Sequence, residues 1–412
     1  MEGQGTKLWT LSADGKEYER MKNLLNGRLT NSFTPEQINA ATRQASLAHL
    51  QAKKSLEVIY DGSDIRKPYS QALPHLTSVR SLSKSREWIK GYNTFNSVVI
   101  SDVDKQLHLL QCTPYSYADP QYNQSVGAGY TEKELIEEQI RQNDQVLKAH
   151  FPGVELWHLL DRKHDDEATF ELIASLESKF IIRLKASRNS NETYQDEQGK
   201  TKTIKLLEAQ LETTLTQVLE RFVYKKKAYQ QAKLTTSYGK LTLSGKTYWV
   251  VRIQVSDRQG QSLFQEPMLL LTNAQVKDHQ QAFQVYQRYL KRSKIESVFK
   301  FLKEELVWEQ FQIRDFLAIQ NIIVLCFFVA QYFYENQPSL CQDTSVALLC
   351  KLAKSKGKIT QHFYQKGLAI LANYLLMDTF IKENNLSQED VNHLLAKFRW
   401  LLLSSQYTNY QL

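Results

Sequence analysis

Cysteine is scarce. The 412-residue chain has four: Cys112, Cys326, Cys341 and Cys350. None forms a C-x2-C pair and none joins histidines at zinc spacing, so the pattern offers no structural zinc site. Buried free thiols in a reducing cytoplasm are the expectation, and the sequons at Asn123, Asn191 and Asn385 are then coincidental. There is no G-x4-G-K-[ST] loop, no G-x-S-x-G elbow, no H-E-x-x-H and no G-x-G-x-x-G. That removes the motif-based cases for a nucleotide triphosphatase, a serine hydrolase, a zinc protease and a dinucleotide enzyme. The nine histidines are scattered, and His164 alone falls near a candidate acid. The polar opening MEGQGTKLWTLSADG predicts no signal peptide. The longest apolar run, 322–330, is flanked by Asn321 and Gln331 and is too short to span a bilayer, which predicts a core helix.

What is present fits a globular protein and not a disordered one. Hydrophobic residues make up 42% of the chain, and its length allows two to four modules with a large core. Lys plus Arg number 52 against 44 Asp plus Glu, a net charge of +8. That excess modestly favours a polyanionic partner.

Taken in order, residues 1–54 read as polar and helical, with Thr34-Pro35-Glu36-Gln37 as a capping-box start. The segment is either a small DNA-binding module or a helical collar on the next domain. Leu56 to Tyr60 reads as a buried strand that ends at Asp61, with Gly62, Ser63 and Asp64 as turn-formers behind it. Asp64 is the competing acid. Residues 94–111 read as a hairpin turning at 101–105. Thr131-x-x-Glu134 opens a helix to about His150. Val154 to Leu160 is a strand ending at Asp161. Asp165 or Asp166 caps a helix over 167–178, and Phe180 to Leu184 is a further strand that exits into Lys185 and Arg188. Strand, hairpin, helix, strand, helix, strand is the order of an RNase H-like core, with Asp61 on the first strand and Asp161 after the fourth. Between about 189 and 280 come short Val-, Tyr-, Trp- and Thr-rich runs separated by Gly turns, a mostly β segment in which Lys225 to Lys227 and Arg252 are surface cations. Residues 311–334 read as an apolar helix, Pro338 as a break, and 340–412 as amphipathic helices that include 394–403.

The stretch that ties these together is YLKRSKIESVFKFLK, Tyr289 to Lys303. Ile295, Val298, Phe299 and Leu302 form the apolar stripe of a half-buried helix. At about 100° per residue, Tyr289, Arg292, Glu296 and Lys303 fall within an arc of about 60°. One helix edge then carries a carboxylate, two cations and a phenol, a set suited to a metal and to phosphate oxygens.

Y-x2-R-x3-E-x6-K, written here by Tyr289, Arg292, Glu296 and Lys303, resembles the signature of bacterial insertion-sequence transposases of the DDE class. The resemblance extends over about residues 55–330. It takes in Asp161-Arg162 and the run F-I-I-R-L-K with Arg183 and Lys185, and it departs at Lys163, where relatives often carry Gly. It implies an α/β chain with an RNase H-like catalytic core (55–188 and 281–335), interrupted by a mostly β insertion (189–280). Helical regions at 1–54 and 336–412 would serve DNA-end binding and dimerisation. Asp61, Asp161 and Glu296 would be catalytic and hold two Mg ions, with Mn as a substitute. Tyr289, Arg292, Lys303, Arg162, Arg183 and Lys185 would contact DNA, and Trp249 would stack on an everted base. The implied function is cleavage of terminal inverted repeats through a hairpin intermediate, followed by strand transfer, by a homodimer on double-stranded DNA in a bacterial cytoplasm. A silent DNA-binding derivative and a nuclease that does not join strands are the alternatives.

Overall fold

A computed structural model of the chain describes residues 15–81, 87–103, 105–124, 129–185, 193–195, 201–203, 211–224, 227–243, 245–335 and 344–353, with scattered positions between 364 and 389. Arg188, Lys225, Pro338, Cys341 and the expected helix at 394–403 lie outside the described residues. Contacts divide the chain into two units, Met1–Glu335 and Asn336–Leu412.

The first unit is a mixed α/β structure on a large mixed sheet. It opens with helices α1 (Gly15–Leu25) and α2 (Pro35–His49). At the start of α2 the Thr34 hydroxyl accepts from Gln37 N, and Gln37 Oε1 accepts from Thr34 N, which is the capping box expected from the sequence. Strands β1 (Ser55–Arg66), β2 (Thr77–Arg80), β3 (Trp88–Ser101) and β4 (Leu107–Tyr115) follow, then α3 (Glu132–His150), β5 (Glu155–Leu160), α4 (Glu167–Ser175) and β6 (Lys179–Arg183). Two short strands, β7 (Thr193–Gln195) and β8 (Thr201–Thr203), pair with each other. Long strands β9 (Glu212–Tyr224), β10 (Lys227–Leu243) and β11 (Lys246–Ser256) lead into β12 (Met268–Thr272). Helices α5 (His279–Leu290), α6 (Ile295–Glu304) and α7 (Phe316–Glu335) complete the unit.

The sheet has ten strands in the order β2-β3-β1-β5-β6-β12-β11-β10-β9, with β4 also on β3. β1 pairs antiparallel with β3 and parallel with β5, and β5 pairs parallel with β6. The strands expected between 189 and 280 extend this same sheet through the antiparallel pairing of β12 with β6. Alternate residues of β1 face opposite ways. Leu56, Val58 and Tyr60 enter the core beneath α3 and α4, together with Ile136, Ile140, Phe170 and Phe180. Glu57, Ile59 and Asp61 therefore belong to the other face.

Edge strand β4 is covered, which protects a backbone that would otherwise template pairing. Asn39 of α2 donates to Cys112 O at 2.9 Å and accepts from Cys112 N at 3.0 Å. Gln331 of α7 accepts from Leu109 N at 2.7 Å. The N-terminal helix α2 thus packs on the sheet as a collar. α7 is 20 residues long and apolar enough to cross a bilayer by length and composition. Its polar residues are spent inside the protein, however: Asn321 donates to Leu25 O at 2.7 Å, and Ile322, Ile323, Val324 and Phe327 are buried. It is a core helix, as the flanking amides implied, beginning at Phe316 and not at 311. Cys112 and Cys326 are buried free thiols, and Cys350 is buried.

Two expectations need correction. β1 does not end at Asp61. Residues 62–66 continue it, because Gly62 to Arg66 pair in register with Phe95 to Gly91. Cross-strand pairing overrides the turn preference of Gly-Ser-Asp. Gly91 permits that close approach, since a Cβ there would lie 2.2 Å from Ile65 O. The second correction concerns Tyr289 to Lys303, which is not one continuous α-helix. A 3-10 turn, Lys291–Lys294, separates α5 from α6. It tightens the winding, so the arc computed for an unbroken helix does not hold across it.

In the second unit, α8 (Thr344–Leu352) packs closely on the segment around Gly367. A Cβ at Gly367 would meet Leu349 O at 2.2 Å.

Candidate functional site

The register of the sheet brings the two upstream acids together. Ile59 is opposite Leu159 in the parallel pair β1–β5, so two residues on, Asp61 comes beside Asp161. Leu160 is opposite Ile182 in β5–β6, which sets Asp161 beside Arg183. On the other flank Asp61 is opposite Asn96 of β3. Asn96, Asp61, Asp161 and Arg183 therefore form one row on one face, with neighbours about 4.8 Å apart. Asp161 is not a strand residue. It caps the 3-10 turn Arg162–His164, accepting from Lys163 N at 2.9 Å.

The α5–turn–α6 segment lies over this face. Arg292 Nη1 meets Asp61 Oδ2 at 2.7 Å, and its guanidinium carbon is 5.9 Å from the centre of the Tyr289 ring. Tyr289 is buried. Four residues before Asp61, buried Glu57 takes Arg288 Nη1 at 2.7 Å and Lys291 Nζ at 2.8 Å. Arg288 also stacks over Trp157 at 4.4 Å. Arg288, in the last turn of α5, and Lys291, first residue of the 3-10 turn, are three residues apart and so share one face over this carboxylate.

Beneath the row lies a buried relay. The Tyr60 hydroxyl and His158 Nδ1 are 3.1 Å apart, and His158 Nε2 is 3.0 Å from Asp144 Oδ2. It ties β1, β5 and α3 together one residue away from Asp61.

Burial pushes the Asp61 carboxyl up from 3.8 to about 6; Arg292 opposes the shift and the nearby Asp161 adds to it. Burial lowers His164 to about 4, so this imidazole, 3.7 Å from Asp161, is neutral at physiological pH. Burial works against the charge on Arg292, but Tyr289, Asp61 and Asp161 outweigh it and hold its pKa above the ordinary value. An acid whose folded pKa is raised adds stability that is complete below its ordinary value and is lost as pH rises through the folded one. From pH 5 to 7.5, Asp61 is therefore expected to cost about 1 kcal/mol, allowing for its partial exposure. The check is chemical denaturation at both pH values with wild type and Asp61→Asn. An identical pH slope in both proteins would refute it.

The other expected site residues divide. Arg162 is exposed on the 3-10 turn, and Arg183 and Lys185 are half-buried at the exit of β6, so all three lie at the acid pair's end of the sheet. Lys185 N donates to Asp165 Oδ2 at 2.7 Å. Lys303 belongs to a different group, its Nζ 3.9 Å from Glu309 Oε1, where burial and Arg66 lower its pKa. Asp64 influences Lys303 there and is out of phase with Asp61 on the strand. Glu296 is exposed in the first turn of α6 and is not gathered with the pair. Trp249 is on the same sheet face but opposite Thr272 of β12, four strands from Asp61, or roughly 19 Å.

Among the described residues, no three His, Cys, Asp or Glu side chains are gathered around one point. The oxygen set still suits a hard divalent cation. Asp61 and Asp161 are adjacent, and the fully buried Asn96 Oδ1 has no hydrogen-bond partner. Mg commonly takes one or two carboxylates and keeps several waters. Asn96 was not legible as a site residue, because only the β1–β3 register identifies it.

No family model matches the chain, and no curated protein does. The solved structure of Ciona intestinalis Endonuclease V, in complex with a 24mer DNA containing an inosine followed by a ribo-adenosine, matches at a TM-score of 0.25 and 13% identity, over 66% of this chain and 98% of that one. A likeness at that level carries no argument about fold or activity.

Proposed function

We propose that the chain is a metal-dependent DNA phosphoryl-transfer enzyme, a transposase with an RNase H-like core that cuts and joins the ends of its own element. The observation that carries the reading is the row Asn96–Asp61–Asp161–Arg183 with Arg292 over it. Adjacent acids on one row, one of them with a raised pKa, suit a cation, and the cations around them suit phosphate. The Y-x2-R-x3-E-x6-K spacing adds the resemblance to it.

Asp61 and Asp161 would hold Mg, with Glu296 as the third acid. When bound, the metal activates the attacking oxygen and stabilises the leaving one. The chain's own groups do the rest. Arg292 and Arg183 neutralise the phosphate at the acid pair, while Arg162, Lys185 and Lys303 hold flanking phosphates and fix the strand's register. Water attacks phosphorus and the bond to the 3′ oxygen breaks, leaving a 3′-hydroxyl and a 5′-phosphate. That hydroxyl then attacks a phosphorus of the opposite strand, whose bond to its own 3′ oxygen breaks, so that a hairpin closes the element's end and the flanking DNA leaves with a 3′-hydroxyl. Water reopens the hairpin, restoring the element's 3′-hydroxyl, before a homodimer transfers it to a phosphorus of target DNA with loss of that strand's 3′ oxygen.

The test is incubation of labelled double-stranded DNA, carrying the sequences that flank the protein's own gene, with Mg or Mn. Metal-dependent nicking and joined products are expected. Nicks without joined products would favour a nuclease, and specific binding without nicks would favour a silent derivative. Mg should also raise the melting temperature of wild type but not of Asp61→Asn, since a ligand that binds only the folded state stabilises it.

A further inference from the structure

The pairing of β1 with β5 stops short of the acids. Its last pair is Ile59 with Leu159. Beyond that pair β1 continues with β3 as far as Arg66, and β5 stays on β6 only to Leu160. Asp61 and Asp161 therefore stand on the two sides of a fork, each carried by a different ladder. Two carboxylates that share one cation need a fixed separation, since Mg demands near-ideal octahedral geometry. The backbone pairing of their own strands does not reach far enough to fix it.

Buried side chains on the opposite face span the fork instead. Tyr60, next to Asp61, meets His158 Nδ1 of β5 at 3.1 Å. His158 is held in turn, its Nε2 3.0 Å from Asp144 Oδ2 of α3. Asp144 also accepts from Ser178 and, at 2.9 Å, from Lys148. Desolvation opposes its ionisation, but His158, Ser178 and Lys148 outweigh that and hold its pKa below the ordinary value. An ionised carboxylate only accepts, so His158 carries a hydrogen on Nε2, and Tyr60 closes the chain at Nδ1. The Tyr60 ring is stacked between Phe95 at 5.8 Å and His158 at 5.7 Å. Phe95 also meets His164 at 5.3 Å, the last residue of the turn that Asp161 caps. The same stack thus reaches the backbone of both acids from below. Burying these polar groups has a desolvation cost that an apolar pair would not. A satisfied polar network, however, specifies one arrangement where apolar packing tolerates several.

We propose that Tyr60 and His158 are positioning residues, whose hydrogen bond closes the fork beneath Asp61 and Asp161 and holds the two carboxylates at the separation one divalent cation bridges. This role rests on reading the acid pair as a metal site. Neither residue touches the metal or the DNA; both act through the strands that carry the acids.

The test is a titration with Mn, without DNA, in which electron paramagnetic resonance counts the free ion. Wild type is expected to bind. Tyr60→Phe keeps the ring and its stack and lacks only the hydroxyl. It should stay folded and bind Mn about 10- to 100-fold more weakly, the usual loss when an outer partner of a metal ligand is removed. Asn39→Ala is the control for stability alone. It removes two buried hydrogen bonds at β4, away from the fork, and should melt lower with Mn affinity unchanged. Cleavage adds a second reading: Tyr60→Phe should need more Mg for half-maximal rate and approach the wild-type rate at saturating Mg. Wild-type Mn affinity in Tyr60→Phe would overturn the positioning role, as would an equal loss in Asn39→Ala. A wild type that binds no Mn would remove the metal reading of the acid pair and this role with it. Weakened Mn binding in Tyr60→Phe beside a wild type that binds Mn but never cleaves DNA would leave the positioning role standing and remove the phosphoryl-transfer reading alone.

Discussion

Glu57→Ala is expected to destabilise the first unit by about 3 kcal/mol, the low end of the cost of breaking a buried ion pair. Glu57 is 1% exposed and holds two cations, Arg288 at 2.7 Å and Lys291 at 2.8 Å. Removing the acid leaves both cations without it, and they cannot move far. Arg288 lies against Trp157, and Lys291 is fixed in the 3-10 turn. Each is nevertheless about a quarter to a third exposed, so water can reach it, which is why the low end of the range applies. Glu57→Gln keeps a hydrogen-bond acceptor and should cost less. Chemical denaturation followed by circular dichroism measures both. A change under about 0.5 kcal/mol for Glu57→Ala would show that the clamp contributes no more than an exposed surface pair does. A second effect follows from position: Arg292 is one helical turn beyond Arg288. Loosening the clamp should therefore reduce DNA cleavage even at temperatures where the variant is fully folded.

Glu57 also shows how much could be read from the sequence. In LEVIY a lone acid interrupts an apolar strand, a sign that some cation must meet it, but nothing local says which. Its partners are 231 and 234 positions away. The strands and helices around the acids were legible because hydrophobic alternation and capping boxes are local signals. The capping boxes at Thr34 and Thr131 formed as their spacing predicted. Asp61 and Asp161 were found as acids behind apolar runs, and the parallel register then made them neighbours. The misjudgements were all non-local. Gly-Ser-Asp after Asp61 looks like a turn, yet β3 supplies it with a pairing partner. The 60° arc assumed one helical period, and the 3-10 turn at Lys291–Lys294 changes that period midway. Asn96 carries no motif at all. It comes from β3, and only tertiary register brings it to the acids.

Asp161→Asn is expected to lower metal-dependent DNA cleavage by about a thousandfold or more, and its comparison with Glu296→Gln decides what kind of site this is. Stabilisation of a transferring phosphoryl group by a held metal is worth several kcal/mol, and each 1.36 kcal/mol is a factor of ten in rate. Asp161 is in the row with Asp61 and Arg183, so its loss removes a donor already in position. The fold should tolerate the change, because an amide oxygen can still accept from Lys163 N at the 2.9 Å cap. DNA binding should persist too, since the loss of one negative charge beside Arg292 and Arg183 does not weaken attraction for phosphate. Glu296 differs: it is exposed on α6 and apart from the pair. If it is the third acid, metal and DNA must draw α6 inward, and Glu296→Gln should then fall as far as Asp161→Asn while binding DNA normally. Matched losses in the two variants would support a three-acid centre completed on binding. Loss in Asp161→Asn alone would mean that two carboxylates, with Asn96 and water, suffice for the chemistry, and that Glu296 is surface. Full activity in both would remove the row from the mechanism and with it the proposed function.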